Sequence, residues 1–124
     1  MKVYLAGPIH ACSDKEAQDW RDYATSILGQ WLIDVLDPMD RDYRGREADS
    51  FVDIITQDKR DVLDADVLLA YVQKPSVGTS MEVLYAWEHG KRVLVVAPDA
   101  VSPWLRYHSE AVFSTLDDAL DYLR

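Results

Sequence analysis

The sequence predicts a three-layer α/β fold, flavodoxin-like or Rossmann-like, on a five-stranded parallel sheet. Short runs rich in valine, leucine and isoleucine at 3–6, 32–36, 66–72, 93–97 and 111–113 alternate with segments whose apolar residues recur at helical spacing. Such alternation implies parallel strands joined by right-handed crossovers. The longest apolar run also leads straight into a Pro/Gly loop, KPSVGTSME over 74–82. In open α/β sheets, ligands collect outside the carboxyl ends of the strands, where that loop lies.

Each element has its own warrant. Val3 to Ala6 reads as a buried strand stopped by Gly7 and Pro8. Ser13 and Glu16 have capping-box spacing, and Trp20, Ala24, Ile27, Leu28 and Trp31 then form one helical stripe. Leu32 to Leu36 is expected as the second strand, followed by a charged loop over 37–49. A second helix is expected over 50–64, with Phe51, Ile54, Ile55, Val62 and Leu63 inward. Asp58 falls on that stripe, four residues from Ile54 and from Val62. After the 74–82 turn, a helix to about His89 should end at Gly90, with Lys91 and Arg92 at its negative pole. Strand four covers 93–97, Pro98 and Pro103 bracket a loop, and Leu116, Leu120 and Leu123 face inward from a closing helix over 115–123.

The 124 residues are expected to form one domain, 1–124, with an ordinary soluble composition of 48% hydrophobic and 28% charged residues. No apolar run has the length of a membrane span, and Met1-Lys2 runs directly into a strand, so neither a membrane partner nor an export signal is expected. Cys12 is the sole cysteine, which points to a reducing cytoplasmic setting. A net charge of −9 argues against polymeric nucleic acid but leaves a small anionic substrate open. Arg41, Arg44 and Arg46 could reach such a ligand, although a solvated charge run is the better explanation of them. His10, His89 and His108 lack ligand spacing, and neither a G-x-G-x-x-G nor a Walker loop is present, so no metal or cofactor is expected. Cys12 beside His10 has no orienting third residue to make it a nucleophile.

Two carboxylates remain, and each has two readings. Glu82 can close a capping box with Thr79, or it can face a cavity as a reactive group. Asp58 is either a solvated aspartate at the edge of its stripe or a buried acid. Paired carboxylates suit glycosidic chemistry, in which one attacks the anomeric carbon and the other manages the leaving group's proton. On this reading a helix N-terminus would hold Glu82 ionised, and burial would raise the pKa of Asp58.

The motifs YLAGPI over 4–9, Asp58 on the second helix, DVLLAYV over 66–72 and KPSVGTSME over 74–82 resemble the nucleoside 2-deoxyribosyltransferase superfamily, which includes the nucleoside 5′-monophosphate N-glycosidases. The resemblance spans nearly the whole chain. It implies Glu82 as nucleophile, Asp58 as the accompanying acid and Tyr4 as the residue that orients the glutamate. It further implies that Gly7, Ile9, Ser76 and Gly78 border the substrate, and that Ser102 binds phosphate in the neighbouring subunit's site, hence a homodimer or higher homo-oligomer. Serine at 76, where nucleoside transferases usually carry aspartate, favours a nucleotide, because aspartate would repel a 5′-phosphate. The expectation is therefore cleavage of a (deoxy)ribonucleoside 5′-monophosphate through a glycosyl-enzyme. Base exchange between deoxynucleosides is the nearest alternative, and a non-catalytic nucleotide sensor or receiver-like domain the alternative from another class.

Overall fold

The computed structural model describes residues 1–41 and 46–124. Five parallel strands form one sheet in the order β2-β1-β3-β4-β5. They are β1 (Lys2–Ala6), β2 (Asp34–Leu36), β3 (Val67–Tyr71), β4 (Arg92–Val96) and β5 (Ala111–Phe113). The helices are α1 (Asp14–Gln30), α2 (Glu47–Asp64), α3 (Val77–Glu88), α4 (Pro103–Tyr107) and α5 (Leu116–Leu123). A 3₁₀ turn, Pro38–Asp40, follows β2. This is the doubly wound order whose switch point lies between β1 and β3, so a crevice opens there at the carboxyl ends. Among the described residues no helix is long and apolar enough to cross a membrane.

Side-chain alternation divides the core in two. Val3, Leu5, Val67, Leu69, Leu94 and Val96 pack with Trp20, Ala24 and Leu28 of α1 and Leu120 of α5. Tyr4, Ala6, Leu68, Ala70, Val93 and Val95 pack with Val62 of α2 and Val83 and Ala86 of α3. The parity of β1 therefore decides that Tyr4 faces the α2–α3 layer. The register Tyr4↔Leu68 with β3 fixes its height in the sheet.

Four elements differ from expectation. The second strand starts at Asp34, because Leu32 and Ile33 are used to end α1. Helix α2 starts at Glu47, inside the stretch expected to be loop, and Phe51, Ile55 and Leu63 of its stripe are exposed. Its Ile54, Asp58 and Val62, spaced by one turn, border the crevice, as does Ile55. Trp87 of α3, expected from helical spacing on an apolar face with Val83, Leu84 and Ala86, retains surface exposure. The expected loop after Pro98 contains α4, capped by the Ser102 hydroxyl accepting from the Trp104 amide, with Pro103 in the first turn. The Ser13–Glu16 capping box forms as expected.

Helices α1 and α3 end in the same Schellman arrangement with different residues. Ile33 N–H bonds to Leu28 O and Leu32 N–H to Gly29 O, just as Lys91 N–H bonds to Ala86 O and Gly90 N–H to Trp87 O. The left-handed residue is Gly90 in α3 (φ 75°) but Leu32 in α1 (φ 59°), where the side chain is 91% exposed. A left-handed leucine that buries nothing costs stability. Leu32→Gly is expected to stabilise the protein by about 1 kcal/mol, read as a higher urea midpoint.

Candidate active site

The crevice is a cavity of about 640 Å³, within the range of small-molecule sites. Gly7 and Ile9 border it from the end of β1, Pro38 from the end of β2, and Ser76, Gly78, Thr79 and Glu82 from the β3–α3 junction. Asp58 and Ile54 close it from α2. Gly7 has a steric reason: a Cβ there would lie 2.7 Å from Trp20 Cζ2 and 3.1 Å from the Tyr71 carbonyl oxygen.

The opening of α3 differs from the expected capping box. Ser76 is the N-cap, its Oγ accepting from the Thr79 amide at 3.2 Å. Thr79 is thereby inside the helix and buried, and its hydroxyl has no partner among the described residues. Glu82 lies six positions after the cap (82 − 76), in the second turn rather than the first. It is consequently beyond the reach of the helix dipole, which fades within one turn. What holds it is Tyr4, whose buried hydroxyl donates a short hydrogen bond to Glu82 Oε2.

The electrostatics follow from this enclosure. Glu82 is part-exposed at the cavity wall, but the protein packed around its carboxyl raises its pKa to about 8. Burial is the main cause, opposed by the Tyr4 hydrogen bond and reinforced by Asp58. The expectation that a helix end keeps Glu82 ionised is therefore overturned. Burial likewise raises Asp58 to about 6, with Arg41 pulling the other way. Arg41 is shared, Nη2 lying 2.7 Å from Asp61 Oδ2 and 3.6 Å from Asp58 Oδ1. Tyr4 is pushed far above its ordinary value, first by burial and then by the two acids, so it is a hydrogen-bond donor throughout the working pH range.

Of the residues singled out in the sequence, Tyr4, Gly7, Ile9, Asp58, Ser76, Gly78 and Glu82 meet at one cavity or its floor. Ser102 does not: it is exposed at the start of α4, away from the lining. Arg41 is in the lining, Arg46 is exposed at the start of α2, and Arg44 lies outside the described residues. His10 borders the cavity 3.5 Å from Glu47, while Cys12 does not. No cluster suited to a metal occurs among the described residues.

Two residues were missed. Arg21 is fully buried on α1, and the signal that exposes Asp58, a charge on an apolar helical stripe, would have found it beside Trp20 and Ala24. Tyr85 also lines the cavity, with Lys59 Nζ 5.0 Å from its ring centre. Its place on the cavity face follows from helix phase, which depends on the cap at Ser76.

Residues 1–100 match the family model described as nucleoside 2-deoxyribosyltransferase like. The fold is similar to that of the 2-deoxyribosyltransferase of the psychrotolerant bacterium Bacillus psychrosaccharolyticus, with TM-score 0.80 and 20% identity over 98% of this chain and 92% of that one. A conserved protein from Enterococcus faecalis V583 gives 0.74 and 20% over 97% and 94%. The CMP N-glycosidase BcmB of Clostridium botulinum gives 0.65 and 19% over 99% and 98%. None of the curated proteins matches the sequence.

A raised folded-state pKa has a definite sign in stability. Folded Glu82 keeps a proton that the unfolded chain sheds near 4.5, so its stabilising contribution is complete below that value and is lost as pH rises through about 8. Glu82→Gln should therefore gain stability relative to wild type across this window, by at most about 1.4 kcal/mol per pH unit. Urea denaturation of both proteins at several pH values measures it.

Proposed function

Because the chain belongs to the nucleoside 2-deoxyribosyltransferase-like family and is an enzyme of N-glycosyl hydrolysis or transfer, we propose that it cleaves the base–sugar bond of a (deoxy)ribonucleoside 5′-monophosphate through a glutamyl glycosyl-enzyme. The observation that carries this reading is the pair of enclosed carboxyls, Glu82 held by Tyr4 and Asp58 opposite on α2, at the mouth of a helix N-terminus capped by serine. In the first step a carboxylate oxygen of Glu82 forms a bond to C1′ as the C1′–N bond breaks. The base departs with the bonding pair and takes its proton from Asp58 or from a water that Asp58 positions. In the second step water attacks C1′, the ester to Glu82 breaks, and a proton returns to the acid.

Tyr4 bonds one oxygen of Glu82 and leaves the other to attack C1′. The carboxylate also faces the positive charge that develops at C1′, which favours its ionised form in the transition state. Ile54, Val62 and Leu84 give the cavity an apolar wall suited to a planar base. At the other end, the first amides of α3 have no partner within the helix, and Ser76 uses Oγ as an acceptor while its O–H stays available to donate. Those donors suit a phosphate. Ser102 would reach such a site only from a second copy, which is why a homodimer belongs to this proposal. The nature of the acceptor separates hydrolysis from base exchange, and both use the same first step.

The test is chromatography of the free base released from matched nucleosides and 5′-monophosphates, with and without an acceptor base. Release from monophosphates without acceptor is expected. Exchange confined to nucleosides would make the protein a deoxyribosyltransferase instead, and ligand binding without turnover would make it a sensor. Glu82→Gln should lose at least about a thousandfold in rate, and Ser76→Asp about ten- to a hundredfold with monophosphates, nucleosides being less affected. Because the reactive form has Glu82 ionised and Asp58 protonated, kcat/KM should be bell-shaped with its maximum between about 6 and about 8. Activity rising steadily to high pH would remove the acid role.

A further inference from the structure

The largest fully buried side chain is a charged one, Arg21 of α1. Its Nη1 donates to the Ala17 carbonyl at 2.7 Å, and its Nη2 to Gly7 O at 3.1 Å and, at the limit of a hydrogen bond, to Leu5 O at 3.5 Å. Its Nε lies 3.3 Å from Asp37 Oδ1, close enough for an ion pair but out of line for a hydrogen bond. The guanidinium also lies 4.7 Å from the centre of the Trp20 ring. Arg21 thus ties the end of β1, which carries Tyr4 and Gly7, to Asp37 at the end of β2. Asp37 caps the 3₁₀ turn by accepting from Met39 N–H, and Pro38 of that turn borders the cavity.

Stability does not require a charge here. Burying an ion pair costs desolvation, and well-packed apolar residues of similar volume often serve as well or better. The surroundings supply another reason. Tyr4 from β1 is hydrogen-bonded to Glu82, and among the described residues Asp58 from α2 and Arg21 from α1 act on it electrostatically. Facing Arg21 are Asp37, Glu82, Tyr4 and Cys12. Asp58 has Arg41 and Asp61 beside it as well. Arg41 is already shared between Asp61 and Asp58, and among the described residues Arg21 is the cation that acts on Glu82.

We propose that Arg21 is a positioning residue for the Tyr4–Glu82 pair: buried behind the cavity floor, it fixes the end of β1 against the Asp37 turn and supplies the positive field under which Glu82 can carry a negative charge. With no exposed surface it touches no substrate, and it acts through Glu82. Its consequence for catalysis rests on the role proposed above for Glu82, whereas its effect on the Glu82 carboxyl does not.

The test is the titration of Glu82 followed by carbon-13 NMR of its carboxyl, in wild type, Arg21→Met and Asp37→Asn. Removing the cation should move the Glu82 midpoint up by about one pH unit, and removing the cation's own counter-ion should move it down. Glu82, the group of higher pKa, sets the alkaline limb of base release, which should move in the same directions, and the rate below that limb should fall about tenfold for each pH unit by which the midpoint rises. A purely structural Arg21 would lower the urea midpoint of both variants without opposite shifts. An unchanged Glu82 midpoint in folded Arg21→Met, or shifts of the same sign in both variants, would overturn the proposal. Should Arg21→Met fail to fold, Asp37→Asn decides alone: a midpoint that does not fall overturns it. Opposite shifts in a protein that releases no base would leave the electrostatic role standing and remove the catalytic one.

Discussion

The hydrogen bond from Tyr4 to Glu82 joins the sheet to α3, and the site depends on both ends being in phase. At one end, Tyr4 faces α3 because β1 alternates with period two; a slip of one residue would turn it toward α1. At the other, the position of Glu82 around α3 follows from where that helix starts, which the Ser76 cap decides. A helix started one residue later would bring a different side chain to the same height. The parallel order β2-β1-β3 places β1 and β3 side by side, so that the two ends meet over the switch point.

Enclosure gives the carboxyls their chemistry and also limits it. The apolar surroundings that suit a base raise both acids toward neutrality, to about 6 for Asp58 and about 8 for Glu82. Of the two, Glu82 is the more basic, whereas the proposed roles need it ionised while Asp58 keeps a proton. The short bond from Tyr4 and the field of Arg21 lower Glu82, and Asp58 opposes them. Positive charge developing at C1′ would supply what remains. On the proposed mechanism, Glu82 is a nucleophile that becomes charged when a substrate is there to stabilise it.

Much of this was legible in the residues. The sheet and its helices follow from apolar runs and helical stripes, and the location of the cavity from a Pro/Gly loop after the central strand. Asp58 stood out as a carboxylate at the spacing of Ile54 and Val62. What was misread came from competition between local signals. Thr79 and Glu82 have capping spacing, but Ser76, three residues earlier, takes the cap and carries Glu82 into the second turn. Phe51 and Leu63 fit an inward stripe, yet α2 turns Ile54, Ile55 and Val62 to the crevice and leaves those two exposed. Arg21 was legible as a charge on the apolar stripe of α1, but its partners, backbone carbonyls and an aspartate brought close by the fold, were not. Whether Ser102 reaches a site depends on a second copy, which no local pattern encodes.

The central claim, covalent catalysis by Glu82, is tested most directly by mass spectrometry of the protein quenched during turnover of a slow 2′-fluoro 5′-monophosphate. A mass increase equal to the fluorosugar phosphate, localised to the peptide containing Glu82 and missing from Glu82→Gln, is the predicted result. Base release with the adduct on another residue, or with the protein mass unchanged at every quench time, would contradict it.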